Sequence, residues 1–448
     1  MPTTELFRDH LTHLDRWLAD ALERSARHGA GFDAVLFYAG NEVVYFADDE
    51  VVPFHTAAHC RRWAPEAGPQ TCVLARPGAK TKVLRVRSRD YWVDTSPPRD
   101  SYWNEAVEVL EVERLDQAAA ALDLPANTAY VGPDDASSGA EALGLSAINP
   151  STLLAPLDWH RATKTKFEVA QLRRAIAHSA AGHQAARNAF EAKGSERQVY
   201  WSYLQGADIV DFDVPFRPIV ALDHKASILH YQHKRGNTDP GTVALIDAGA
   251  SWEGYHADLT RTWYRENGPL ADSVFRHILD GMDQLQRQLV DGVRPGKSFV
   301  ELHEETHRGI ANLLHNVGVF RVSRDEAFES GLTRAFLPHG LGHHLGLQVH
   351  DVGGHQSEPD GGTTPPPAEY PSLRNTRTLE PGHVVTIEPG LYFIPMLLDP
   401  LRQGEHSAHL DWDILDRLIP LGGIRIEDDV VCTDGGPEDL SRPLLPGA

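Results

Sequence analysis

Residues 338–351 read PHGLGHHLGLQVHD, and the fold of the chain turns on how this stretch is read. Four histidines, His339, His343, His344 and His350, stand among glycines and aliphatic residues. Gly340, Gly342 and Gly346 permit tight backbone paths, while Leu341, Leu345, Leu347 and Val349 can anchor the segment in a core. Imidazoles held rigidly against an apolar wall suit metal ligation or proton transfer. A loop whose ring nitrogens are simply satisfied by neighbouring groups would look the same from this stretch alone. Carboxylates elsewhere in the chain weigh against that reading.

Asp247 closes the apolar run VALID (243–247), and Asp258 opens DLTRTWY (258–264) after the turn AGASWEGYHA. A hairpin of this kind can bring the two acids face to face. In HVVTIEPG (383–390), strand alternation places Val384, Thr386 and Glu388 on one face, with Val385 and Ile387 on the other. In GIRIEDD (423–429), Arg425 and Glu427 share a face opposite Ile424 and Ile426. Each glutamate ends an apolar run, where an acid is costly unless paired or coordinated. Taken singly, each fits a strand-end ion pair equally well. Taken together, Asp247, Asp258, Glu388 and Glu427 with His343 make a set whose carboxylates would repel one another and take up protons. Two divalent cations remove that conflict. An oxygen-rich set with one nitrogen suits Mn(II) first, with Co(II), Fe(II) or Zn(II) as alternatives. Two metals about 3.5–4 Å apart acidify a bridging water and polarise a carbonyl, which is hydrolase chemistry.

These motifs also carry a family resemblance. PHGLGHHLGLQVHD, the Asp247/Asp258 pair followed by Thr260-Arg261-Thr262, the IEPG of Glu388 and the GIRIED of Glu427 resemble the pita-bread metallopeptidases. Within that superfamily the chain resembles the bacterial Xaa-Pro dipeptidases (prolidases), relatives of the organophosphorus acid anhydrolases. The similarity is strong over the C-terminal part and looser through FADDEVVPF (46–54) and the aromatic stretch 91–103. It implies an α+β chain: a mixed α/β domain over 1–160, like the creatinase N-terminal domain, then a pita-bread (creatinase/aminopeptidase-like) catalytic domain over 161–448.

The resemblance also implies roles. Asp247 would bind one metal through both oxygens and His343 the other, with Asp258 and Glu427 bridging. Glu388 would complete the ligand set and handle the proton of the bridging water. His350 would hydrogen-bond the developing oxyanion, and His339 would join the catalytic group while lining the substrate pocket. Arg425 would steady a bridging carboxylate or the substrate, Arg374 would grip the substrate's C-terminal carboxylate, and His230 would line the pocket. The implied reaction is attack of a metal-bridging hydroxide on an Xaa-Pro dipeptide, releasing proline. The alternative on the same fold is an Xaa-Pro aminopeptidase acting on longer peptides. Hydrolysis of organophosphate triesters would be a side activity, and a homodimer is implied. One departure stands out: HTAAHCRRW (55–63) replaces the Lys- and Asn-containing pattern of the bacterial prolidases, which bears on the choice of Xaa and not on the metal set.

Composition narrows the class from the other side. A formal net charge of −21 over 448 residues argues against nucleic acid or an anionic membrane as partner, because both call for a basic footprint. No apolar run approaches membrane-spanning length, and no signal-like pattern precedes the first amphipathic helix. Three cysteines without a CxxC pair fit a reducing compartment, so a cytoplasmic protein is expected.

Along the chain, strands are expected in AVLFYAG (34–40), NEVVYFA (41–47), QTCVLARPG with KTKVLRVR (70–87), AVEVLEV (106–112) and TAYVGP (128–133). Tyr91, Trp92, Tyr102 and Trp103 read as core or subunit interface. A long Ala-rich helix spans 164–193, a second is capped at Ser195, and strand texture begins near 210 with IVALDHKASILHYQHK. Two helices follow, the second capped by Ser298 and ended at Gly318. The Pro/Gly-rich segment 358–373 reads as a long irregular loop, a lid or rim candidate.

Overall fold

The computed structural model describes residues 3–87, 91–92, 101–134, 139–237 and 239–447. The chain divides into two compact units, residues 1–170 with 356–363, and residues 171–355 with 364–448. The division expected at 160 falls inside a helix of the first unit, Ser151–Ala162.

The first unit starts with α1 (Thr3–Arg27), whose Phe7, Leu14, Leu18 and Leu22 are buried at helical spacing. Its sheet has strands β1 (Ala34–Tyr38), β2 (Cys72–Ala75), β3 (Lys82–Val86), β4 (Glu108–Val112) and β5 (Thr128–Val131), in the order β4-β3-β2-β1-β5. Helices α2 (Ala58–Trp63), α3 (Ala118–Leu122) and α4 (Ser151–Ala162) complete it. β1 is buried along its whole length because β2 flanks it on one side and β5 on the other. That leaves no edge for the strand expected at 41–47. The segment forms only an isolated bridge, Val44 to Val51, and Phe46 is fully exposed. Among the four aromatic residues, Trp103 is buried and Tyr102 packs on Phe7 and Phe167, whereas Tyr91 and Trp92 are exposed. Residues 93–100, in the same stretch, lie outside the described residues.

The second unit begins within the long helix α5 (Lys166–Glu191), which α6 (Glu196–Ala207) follows. Ser195 caps α6 as expected: its hydroxyl accepts the Gln198 N–H, and Gln198 reaches back to the Ser195 N–H at 2.8 Å. β6 (Ile219–Leu222) is the only strand formed by the run expected to continue to 234; at Asp223 (φ 54°) the chain turns into a 3-10 segment, Asp223–Ser227. The Asp223 carboxylate stabilises this exit by accepting the N–H groups of Thr242 and Val243 at 2.6 and 2.9 Å. β7 (Val243–Ala248) runs antiparallel to both β6 and β10 (Leu259–Tyr264), and the small hairpin β8 (Ser251–Trp252) and β9 (Tyr255–His256) fills the connection.

Helix α7 (Ser273–Asp291) buries Phe275, Ile278, Leu279, Met282, Leu285 and Leu289, one apolar stripe at three- and four-residue spacing. α8 (Phe299–Asn316) starts at Ser298, whose side chain makes no capping bond; the expected cap is present in position only. α9 (Arg324–Glu329) precedes the His-rich stretch. Strands β11 (Val384–Ile387) and β12 (Gly390–Tyr392), helices α10 (Pro395–Gln403) and α11 (Trp412–Leu418), and strands β13 (Gly423–Arg425), β14 (Asp428–Thr433) and β15 (Gly436–Asp439) finish the unit. β14 lies between β11 and β15, and β13 pairs with β12. Residues 358–373 form no helix or named strand.

Candidate metal centre and substrate pocket

Two close pairings bring the chemistry together. The first lays the His-rich stretch along β11: the N–H groups of Leu345, Thr386 and Glu388 bond the carbonyls of Val384, His343 and Leu341 at 2.8–3.0 Å. Gly342 is required there, since a Cβ on it would lie 2.0 Å from the Thr386 carbonyl oxygen. The second pairing joins β10 to the end of β13, through an isolated bridge from Thr260 to Glu427. Because Thr260 also faces Asp247 in the β7–β10 register, Asp247, Asp258 and Glu427 are drawn to one place.

All ten residues expected in the site line one cavity of about 600 Å³: Asp247, Asp258, His343, Glu388 and Glu427, together with His230, His339, His350, Arg374 and Arg425. Asp258, His343 and Glu427 are buried, and each offers a ligand atom within 4.8 Å of the others'. His343 Nδ1 donates to the His344 carbonyl at 3.0 Å, so in the neutral ring the lone pair is on Nε2, 3.5 Å from Asp258 Oδ2 and 3.6 Å from Glu388 Oε1. Asp247 Oδ2 accepts from Arg425 at 2.6 Å, while its buried Oδ1 has no hydrogen-bond partner. An orphaned carboxylate oxygen beside an imidazole lone pair and two buried acids fits a divalent cation by donor chemistry and by what it leaves unsatisfied.

Electrostatics point the same way. Burial, and after it the field of neighbouring acids, pushes the Asp247 carboxyl up to about 6 and that of Glu388 up to about 7. Glu427 is raised further by burial and by Asp258, Glu388 and Asp247. Burial opposes the charge on His343, but its bond to Asp258 and the charge of Glu388 outweigh this and raise it. His350 is exposed on the cavity wall with its ring edge-on to His343, centroids 4.5 Å apart; partial desolvation, His343 and Arg374 hold it neutral.

A pH prediction follows. In the metal-free chain, Asp247 and Glu388 have folded-state values above their unfolded ones, so the folded state binds more protons and stability falls as pH rises through the window from about 4 to 7. Divalent cations bound by these carboxylates would replace those protons. The rise in melting temperature on adding Mn(II) to EDTA-treated protein is therefore expected to be larger at about pH 8 than at about pH 5.5. Scanning fluorimetry at both values checks this; equal rises would contradict it.

Arg425 is more fully engaged than its sequence position indicated. Its nitrogens go to Asp247 at 2.6 Å, the Tyr392 hydroxyl at 2.7 Å and Thr260 Oγ1 at 3.3 Å, so it reaches Glu427 only through the Thr260 hydroxyl, which donates to Glu427 Oε2 at 2.6 Å. His339 is held at both nitrogens. Nδ1 donates to the Gly340 carbonyl and Nε2 accepts from Tyr392, both at 2.8 Å, and burial drives its pKa down to about 3. Thr260 and Tyr392 were not singled out from the sequence. Thr260 lies within the matched Thr-Arg-Thr run, and Tyr392 follows the IEPG motif by two residues.

The helix α8 run HEETH (303–307) has the spacing of a zinc-binding motif. Its two Nε2 atoms are 3.3 Å apart, but Glu304 is turned outward toward Arg308, and among the described residues no third His, Cys or carboxylate joins the pair. Tyr370 and Thr333 pack on the imidazoles instead.

Residues 170–434 match Metallopeptidase family M24. The chain belongs to that family. Residues 5–159 match the N-terminal domain of Xaa-Pro dipeptidase. Relatives named Xaa-Pro dipeptidase include one from Proteus mirabilis strain HI4320, 38% identical over 98% of both chains, and one from Yersinia pestis strain Pestoides F, 39% identical over 98% of both. Among solved structures, the low-pH form of Escherichia coli aminopeptidase P aligns with a TM-score of 0.73 at 22% identity, covering 99% of this chain and 96% of that one. The same enzyme with the inhibitor Pro-Leu gives 0.69 at 23% identity, covering 95% of each chain. These alignments bear out the pita-bread fold of this family member and its mixed α/β class. Among the described residues no helix is long and apolar enough to cross a membrane, and all three cysteines are free and buried.

Proposed function

We propose that this M24 family member is a dinuclear metallopeptidase that cleaves Xaa-Pro dipeptides and releases proline, with Mn(II) as its working metal. One observation carries the reading: five ligand-type side chains and Arg374 line a single cavity. Asp247, Asp258, His343, Glu388 and Glu427 would hold the two cations, with Asp258 and Glu427 as the shared ligands. The metals supply Lewis acidity, polarising the scissile carbonyl and acidifying the attacking water.

The remaining steps fall to the protein. Glu388 takes the water's proton. An Xaa-Pro bond is a tertiary amide without an N–H, so the prolyl nitrogen leaves only once protonated, and Glu388 returns the proton there. His350, neutral on the cavity wall, donates to the oxyanion. His339 cannot donate with both nitrogens engaged; it shapes the pocket and orients Tyr392. His230 lines the prolyl side. Arg374 binds the terminal carboxylate, which is what separates a dipeptidase from an aminopeptidase. Organophosphate triesters are a side activity of the same centre, since a tetrahedral phosphoryl group resembles the transition state. The homodimer and the cytoplasmic location belong to this reading as well.

Turnover of Ala-Pro, Ala-Pro-amide and Ala-Pro-Ala by apoprotein reloaded with Mn(II) tests it. Rapid turnover of Ala-Pro alone is expected; turnover of the tripeptide would make the chain an aminopeptidase. Arg374→Ala is expected to raise KM for Ala-Pro by about tenfold or more, the scale of a charged hydrogen bond, and to change Ala-Pro-amide far less. Equal changes would remove the carboxylate role.

A further inference from the structure

A dipeptide has one terminal carboxylate, yet the cavity wall has two guanidinium groups beyond the engaged Arg425. Arg374 is one and Arg217 is the other. Arg217 lies two residues before Ile219, the strand partner of Asp247, and alternation puts Arg217 and Ile219 on the cavity side while Pro218 is buried behind them. Its backbone is tied down, since the Gln232 amide reaches its carbonyl at 3.5 Å. Its guanidinium is exposed and, among the described residues, makes no hydrogen bond or ion pair.

The two cations serve different parts of the wall. Arg374 and His230 lie in the electrostatic reach of His350, whose ring stands edge-on to His343 with centroids 4.5 Å apart, which puts Arg374 at the reacting end. The field of Arg217 bears on Lys234, so two positive groups stand together on that side, with Asp211 and Glu196 the acids acting on Lys234. In a chain of net charge −21, a free arginine on the wall of its acidic cavity asks for an anionic partner from solution.

We infer that Arg217 makes the pocket selective for Xaa-Pro dipeptides whose Xaa side chain is a carboxylate. The inference rests on the dipeptidase reading, because it is the terminal carboxylate on Arg374 that leaves the side chain as the second anion. Phe216 and Leu229, also on the wall, accommodate the methylenes of a glutamyl side chain.

The test compares two uncleavable analogues with a reduced peptide bond, Glu-Pro and the isosteric Gln-Pro, by calorimetry on the Mn(II)-loaded protein and on Arg217→Gln. The Glu analogue is expected to bind about two- to fivefold tighter than the Gln analogue, as for an exposed charged pair, and the difference should shrink in about 0.5 M salt. Arg217→Gln should abolish the difference and leave Ala-Pro turnover within about twofold, since an uncharged Xaa has no charge for Arg217 to pair with. Equal affinities in the unmutated protein, or equal weakening of both analogues in the variant, would overturn the inference while Ala-Pro turnover leaves the dipeptidase reading standing. Absence of both binding and turnover would sink that reading and this inference with it.

Discussion

Glu427→Gln is expected to lower kcat/KM for Ala-Pro by about a thousandfold or more, the scale of losing a two-metal clamp on the reacting atoms. Glu427 is 2% exposed and sits where β10 meets the end of β13, within ligand distance of both Asp258 and His343. Its Oε2 is held by the Thr260 hydroxyl, so the side chain has little freedom to be replaced by water. An amide of the same shape keeps that hydrogen bond but removes the negative charge that the proposed pair of cations would share. Metal content and rate, measured on the same preparation, give the answer. A variant that retains two metals per chain and the full rate would refute the bridging role proposed for Glu427.

Arg261→Ala is expected to cost about 3–5 kcal/mol of stability, the usual scale for removing one partner of a buried ion pair. Arg261 is fully buried, and its guanidinium donates to the carbonyls of Thr260, Glu427 and Leu445 at 2.9, 2.7 and 2.7 Å and to Asp428 Oδ1 at 2.6 Å. Asp428 is bound on its other side by Gln286 and Arg442, both at 2.9 Å. Truncation takes the guanidinium from the Glu427 and Leu445 carbonyls, while the Thr260 carbonyl keeps the Glu427 N–H at 3.0 Å; the backbone at Glu427 loosens, so metal affinity should fall together with stability. Urea unfolding of the metal-free and Mn(II)-loaded forms separates the two effects. A loss below about 1 kcal/mol would mean that the network is dispensable.

The parts of this molecule that were legible beforehand are those where one local pattern demands one answer. The α6 cap at Ser195 follows from a Ser and a Gln three residues apart, a wholly local exchange of hydrogen bonds. The apolar stripe of α7 is likewise a matter of spacing alone. The strand expected at 41–47 failed because strand formation needs a free neighbour, and β1 already has partners on both edges. The run after Leu222 failed because the Asp223 carboxylate offers the backbone a better turn than an extended path.

The candidate site divides in the same way. The sequence by itself singled out ten side chains that line one cavity, because acids at the ends of apolar strands and imidazoles among glycines are costly to place without a use. Only the tertiary structure decided how they are supported. Arg425 goes to Asp247 and Tyr392, His339 is fixed at both nitrogens, and Arg261 carries the backbone of Glu427. Arg217 on the cavity wall is also a tertiary result. Apart from the His339 bond to the adjacent Gly340 carbonyl, each is a contact between residues far apart in the chain, set by strand register and by the close approach that Gly342 allows, and no short-range pattern encodes it.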